Sequence, residues 1–309
     1  MVHLVPPRTD AAARAAPAAP QRRHVSESIQ TRRYAVSGGV QVEADVGGDP
    51  RRPAVILLHG GGQTRHSWHG AMREMLRRGY HVIAYDARGH GGSDWCARAD
   101  YSLEAMSADL LAVTATLPAL PALVGASMGG ATLLFAAGNS ERPVAGALVL
   151  VDIVPRVDPE GAARVRAFMR GHPEGFASVE EAADAVAAYN PHRPRPRDPS
   201  GLMKNLRRGQ DGRLHWHWDP KFLDNPRRLE PPQFMDVLLL AADKVVTPTL
   251  LVRGLHSEIV TDEGVNELRR HLRGLEVCDV AGAGHMVTGD RNDAFNAGVL
   301  AFLGRHHPP

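Results

Sequence analysis

The sequence predicts an α/β fold, a mostly parallel central sheet flanked by helices with a mainly helical cap inserted between two late strands. Three observations carry this. Apolar runs of strand length recur from residue 54 onward, each run ends in Gly, Asp or Pro, and helix-length stretches separate them. Strands buried on both faces read as unbroken apolar runs, and their alternation with helices marks a parallel sheet.

Residues 1–30 are rich in Ala, Pro and Arg and nearly free of large apolar side chains, so they read as a disordered extension. Their arginines also suit an organelle transit peptide, but the prolines interrupt any amphipathic helix and no secretory apolar core is present. The core is expected over 31–155 and 246–309. Its strands are the runs at 54–60 (AVILLHG), 80–89 (YHVIAYDARG), 121–127 (PALVGAS), 146–155 (GALVLVDIVP) and 247–254 (TPTLLVRG), with helices at 68–78, 103–117 and 129–138. Residues 156–245 break the alternation. Asp158-Pro159 reads as an N-cap followed by a first-turn proline, and SVEE (178–181) as a capping box opening a helix through Tyr189. DGRLHWHWDP carries a turn and then an alternating His/Trp strand. Because TPTLLVRG resumes the first pattern, the segment is a cap over the carboxyl ends of the sheet, where such folds place their sites, rather than a second domain.

Composition narrows the function. The chain has 309 residues, 43% hydrophobic and 23% charged, enough for one sizeable domain plus an insertion. The 36 Lys and Arg against 34 Asp and Glu give a net charge of +2, without basic clusters interleaved with aromatics, which argues against nucleic acid as a partner. No apolar run approaches the ~18 to 20 residues that cross a bilayer. Cys96 and Cys278 stand far apart with no metal-ligand spacing, so neither a disulfide framework nor a zinc site is indicated and a cytoplasmic location fits. Composition does not speak to oligomeric state.

The chemistry gathers at strand ends. GASMG (125–129) places Ser127 between a strand and a helix, where a strained turn exposes its hydroxyl and the helix N-terminus offers free N–H groups. A serine needs a base to take its proton, and His285 in VAGAGHMV follows a late strand-like run, EVCDVAG. HGGG (59–62) lets backbone amides point at developing negative charge, so Gly61 N–H and Met128 N–H are the expected oxyanion hole. His59 itself is expected to support that loop. The phosphate-binding patterns GxxxxGK[ST] and strand-GxGxxG are absent.

With HGGG at 59–62, DARGHGGSD at 86–94, GASMGG at 125–130 and GAGH at 282–285, the chain from about 35 to 305 resembles the α/β-hydrolase fold family. Within it the chain is similar to serine-nucleophile esterases and thioesterases with a helical cap. The resemblance implies hydrolysis of a small-molecule carboxylic ester, lactone or thioester through an acyl-enzyme, without metal or organic cofactor. A serine at 127 argues against epoxide hydrolases and dehalogenases, which carry a carboxylate there. Asp86 and Arg88 match a turn that shapes the loop beside the site and are taken as structural.

The acid that supports the histidine departs from the commonest pattern of the family, because Ser257 in RGLHSE stands at its usual place. Two candidates remain, Glu258 one residue on and Asp152 at the end of LVLVDIVP. A subgroup with D-I-x-P after that earlier strand and G-x-x-S in the later loop favours Asp152. In the cap, alternation along His215, Trp216, His217 and Trp218 separates the tryptophans from the histidines, so Trp216 and Trp218 either line the substrate pocket or glue cap to body. The same framework also serves ligand-binding signalling proteins with a retained triad and cofactor-free oxygen or peroxide chemistry, and both stay open at this point.

Overall fold

A computed structural model describes residues 28–191, 194–225, 227, 229–285 and 292–309. In chain order the strands are β1 (Ile29–Ala35), β2 (Gln41–Gly47), β3 (Ala54–Leu58), β4 (His81–Tyr85), β5 (Ala122–Ala126), β6 (Ala147–Val151), β7 (Leu206–Arg208), β8 (Leu214–Trp216), β9 (Thr249–Gly254) and β10 (Glu276–Val280). The helices are α1 (His69–Arg77), α2 (Leu103–Thr114), α3 (Met128–Asn139), α4 (Pro159–Arg170), α5 (Val179–Tyr189), α6 (Pro231–Ala242), α7 (Asp262–His271) and α8 (Asn292–His306).

Eight strands form one sheet in the order β1-β2-β4-β3-β5-β6-β9-β10, antiparallel across β1/β2 and β2/β4 and parallel from β4 to β10. All five residues of β3, β4 and β6 are buried, as an unbroken apolar run requires when both faces are covered. Alternation along the strands sends Val55, Leu57, Val124 and Val149 to one face with α1 and α8. Ile56, Leu58, Leu123 and Leu148 go to the other, with α2, α3, α6 and α7. No described helix is long and apolar enough to cross a membrane.

One boundary differs from expectation. The extension assigned to residues 1–30 lies outside the described residues up to 27, but Ile29 and Gln30 already belong to β1, pairing with Gly47 and Val46 of β2. The segment 156–245, expected as a cap, holds α4, α5, the β7/β8 hairpin and α6 between β6 and β9. Its last helix, α6, packs on α3 in the body, where Leu238 and Ala242 join the cluster of Ala131 and Leu134. The fit is close: a Cβ at Gly138 would stand 2.2 Å from the Ala241 carbonyl oxygen. An apolar helix beside a cap has no sequence mark saying which side it packs on.

The rest of the segment is α4, α5 and the β7/β8 hairpin. Asp158 caps α4 by accepting from Gly161 N at 2.8 Å. Ser178 Oγ accepts from Glu181 N at 3.3 Å, and the Glu181 carboxylate reaches back to Ala177 N at 2.6 Å. Both starts follow from short polar side chains satisfying first-turn amides.

Candidate active site

Ser127 joins β5 to α3 with φ 45° and ψ −111°, a left-handed conformation that a side chain adopts only under strain. The turn is held by Ser127 N on Val151 O at 3.0 Å and by Ala131 N on Ser127 O at 2.9 Å. Glycine is required on both sides. A Cβ at Gly125 would meet the Gly129 carbonyl carbon at 2.5 Å, and one at Gly129 would meet the Leu58 oxygen at 2.5 Å. Although Ser127 occupies the N-cap position, its hydroxyl does not cap the helix, and it lines the cavity beneath the cap.

Asp152 continues β6 at φ 49°, fully buried. Its Oδ1 accepts from Gly254 N at 3.0 Å, and its Oδ2 accepts from Ser257 Oγ at 2.5 Å and faces His285 Nδ1 at 2.7 Å. Three donors converge on one carboxylate. His285 lines the same cavity as Ser127, with no direct hydrogen bond between them among the described residues. Such contacts lengthen in unliganded sites and tighten around a substrate. Glu258 points elsewhere, pairing with Arg164 at 2.9 Å where both side chains are about half exposed, 52% and 53%.

The Ser257 hydroxyl gives its proton to Asp152 and accepts from Ile259 N and Val260 N, each at 3.2 Å. Ser257, which stands where the resemblance places the usual acid, therefore ties the Asp152 carboxylate to the loop after β9. Ser257→Ala is expected to cost about 1 to 3 kcal/mol, because two amides and one carboxylate oxygen lose a partner together. Thermal denaturation reads it as a lower Tm, and a wild-type Tm would contradict the role.

The HGGG loop lies beside Ser127, a Cβ at Gly60 standing 3.4 Å from the serine Cβ. Gly60 N donates to Gln63 Oε1 at 3.0 Å, Gln63 N to Gly60 O at 3.1 Å and Gly62 N to His90 Nε2 at 3.2 Å. That leaves Gly61 N–H with no partner among the described residues; Met128 N–H, at the helix start, has no carbonyl one turn back to take it.

Three buried histidines fix this arrangement. His59 Nε2 accepts from Ala87 N at 2.9 Å while Nδ1 faces Gly60 O at 2.8 Å. His90 takes Gly62 N and directs Nδ1 to Arg88 O at 3.1 Å. His217, from the cap, accepts Gly91 N at Nδ1 (2.8 Å) and directs Nε2 to Gly62 O at 3.2 Å. Each ring thus accepts one backbone amide and donates to one carbonyl, which only the neutral form can do. Burial accordingly lowers the pKa of His59, lowers that of His90 well below the usual value, and lowers that of His217 to about 3. With both ring nitrogens engaged, none is available to a metal, and no group of three or more His, Cys, Asp or Glu among the described residues could hold one.

Asp86 and Arg88 serve the loops. Asp86 accepts from Arg65 N at 2.6 Å and Gly92 N at 2.8 Å, and Arg88 is buried against Asp109 at 2.5 Å.

Between body and cap lies a cavity of about 1100 Å³ lined by Ser127, His285 and both tryptophans. Trp216 and Trp218 stack, with centroids 5.1 Å apart and planes at 12°, and Phe168 stands 5.6 Å from Trp216. His217 and Asp219 alternate with them into the body, Asp219 accepting from Tyr101 OH and its amide donating to Gly89 O at 2.8 Å. His215 instead sits at the cap edge beside Asp211, at 2.9 Å.

A family model described as alpha/beta hydrolase fold matches residues 53–291. The chain belongs to the α/β hydrolases. The esterase Rv0045c of Mycobacterium tuberculosis is 34% identical to this hydrolase over 251 residues, covering 77% of this chain and 78% of that one. Its solved structure matches with a TM-score of 0.70 at 29% identity, over 89% of this chain and 92% of that one. The 3-hydroxybutyrate-oligomer hydrolase of Cupriavidus necator is 30% identical over 253 residues, 76% of this chain and 85% of that protein. This α/β hydrolase is thus an enzyme whose relatives are ester hydrolases.

Sequence reasoning missed two contributors in the hydrolase. His90 was visible only as part of GHGG, and His217 as one of an alternating pair. The available signal was a histidine among glycines at a strand end, where an imidazole can bind backbone that no Cβ obstructs.

Proposed function

We propose that this hydrolase cleaves a carboxylic ester, lactone or thioester of a small molecule through an acyl-enzyme on Ser127. The observation that carries the reading is the His285 Nδ1 to Asp152 Oδ2 contact of 2.7 Å, at the strand end adjoining the strained serine turn. His285 Nε2 takes the Ser127 proton as Oγ attacks the carbonyl carbon. Gly61 N–H and Met128 N–H hold the resulting oxyanion, and Asp152 stabilises the imidazolium and fixes its tautomer. The imidazolium then protonates the departing alcohol or thiol, and a water activated by the same nitrogen releases the acid. The strain at Ser127 and Asp152 supports this assignment, since non-glycine residues at positive φ concentrate at functional sites.

Trp216 and Trp218 form the apolar wall against the substrate in this reading. Cys96 and Cys278 are unpaired, which suits a cytoplasmic enzyme. The test is covalent labelling with a fluorophosphonate, followed by peptide mass spectrometry, alongside a panel of short p-nitrophenyl esters, lactones and thioesters. One phosphonyl group per chain, on Ser127, with turnover and labelling both lost in Ser127→Ala, is the expected result. No labelling and no turnover, with tight ligand binding, would turn the reading to a receptor.

A further inference from the structure

Five cations line the cavity: Arg166, Arg170, Arg195, Lys204 and Arg227. Three are already matched. Arg170 pairs with Asp224 at 3.0 Å, Arg195 with Asp184 at 2.6 Å and Arg227 with Asp100 at 2.8 Å. Lys204 is exposed. Arg166 is half-buried and has no hydrogen bond or ion pair among the described residues, whereas its helix neighbours Arg164 and Arg170 both have carboxylate partners.

The position of Arg166 on α4 matters as much as its charge. Ala162, Arg166 and Met169 follow one another at i, i+4 and i+7, so they share a face, and all three line the cavity. Met169 anchors that face over the oxyanion loop, its Sδ standing 3.8 Å from where a Cβ of Gly61 would be. Arg166 is three residues earlier, a rise of about 4.5 Å along the helix. Its guanidinium thus belongs to the wall of the reaction chamber. The cavity lining mixes apolar side chains, among them Val165, Trp216, Trp218 and Phe222, with the carboxylates of Asp198, Asp224 and Glu230, so a charge pair formed away from bulk water is less screened than one at the surface. A guanidinium in such a wall presents a fork of N–H donors that matches a carboxylate.

We infer that Arg166 binds an anionic group of the substrate, so that the preferred esters carry a carboxylate. This rests on the serine-hydrolase reading above and adds the charge of the substrate to it. Arg166 acts in specificity and touches no reacting atom.

The test compares p-nitrophenyl hemisuccinate, hemiglutarate and hemiadipate with neutral p-nitrophenyl acyl esters of matched length. Butyrate esters of phenols with and without a carboxylate form a second arm, reporting the alcohol side. In either arm, kcat/KM is expected to favour the anionic ester by about 10- to 100-fold, the range for a charged hydrogen bond. Arg166→Gln should reduce the anionic-to-neutral ratio at least tenfold, and Arg166→Lys should keep part of it. Equal or better use of neutral esters in both arms, with the ratio unmoved in Arg166→Gln, overturns the inference.

Calorimetric titration of glutarate into the Ser127→Ala protein, with and without Arg166→Gln, reads the anion site without turnover. Glutarate binding that depends on Arg166, in a protein that hydrolyses no ester, would uphold the anion site and sink the serine reading. Serine-dependent hydrolysis of neutral esters with no glutarate binding or inhibition would do the reverse. Should Arg166→Gln fail to fold, the wild-type preference, glutarate inhibition and Arg166→Lys still decide.

Discussion

Asp152→Asn is expected to lower kcat for ester hydrolysis by about 10⁴-fold while leaving KM little changed. The geometry explains the size. Every partner of the Asp152 carboxylate is a donor: Gly254 N on one oxygen, Ser257 Oγ and His285 Nδ1 on the other. An amide keeps one acceptor oxygen and turns an NH2 group against donors at the other position. Either the Gly254 contact breaks or His285 shifts to the tautomer that cannot take the serine proton. Glu258→Gln should stay within about twofold of wild type, since that side chain meets only Arg164 at an exposed pair. Steady-state kinetics on one good ester suffices. Activity retained in Asp152→Asn and lost in Glu258→Gln would move the acid to the later loop.

A second large effect is expected from acid. His59, His90 and His217 all have folded pKa values below the ordinary value of 6.5, so below that pH the unfolded chain binds protons that the folded chain refuses. Stability is therefore fully present above about pH 7.5 and falls as pH drops through 6.5 toward the folded values, about 3 for His217. Each group adds a slope of up to about 1.4 kcal/mol per pH unit between its unfolded and its folded value. Against a typical total of about 5 to 15 kcal/mol, a marked loss of stability is expected as pH falls below 6.5. Partly buried His66, His81 and His307 shift the same way and add to the slope. Urea unfolding between pH 7.5 and 5 isolates the effect, because ordinary carboxylates titrate lower. A midpoint that does not move over that range would contradict the neutral assignment.

Which parts of this were legible follows from burial. Strands β3 to β6 and β9 stand out because both faces are covered and nearly every residue must be apolar. Strand β1, IQTRRYA, is an exposed edge whose residues answer to solvent, and nothing in its polarity distinguishes it from a loop. Ser127 was readable because glycine flanks it for steric reasons, and His285 because it closes GAGH after a strand-like run. The acid was ambiguous because Asp152 and Glu258 differ only in where the backbone aims them: φ 49° turns Asp152 inward, and no pattern of types records that. The placement of α6 and the triple histidine contact depend on packing between distant segments, which composition cannot express.

Along Trp216–Asp219 the side chains alternate, the stacked tryptophans lining the cavity and His217 with Asp219 gripping the body. Helix α4, by contrast, buries only Gly161 and Met169. The HGGG loop is thus met from two sides, by His217 at Gly62 O and by Met169 of α4 beside Gly61, while the rest of α4 is left to line the cavity. Substitutions on the cavity face of α4 are therefore expected to change which ester is taken more than they change the fold, and changes at His217 to loosen the Gly62 loop.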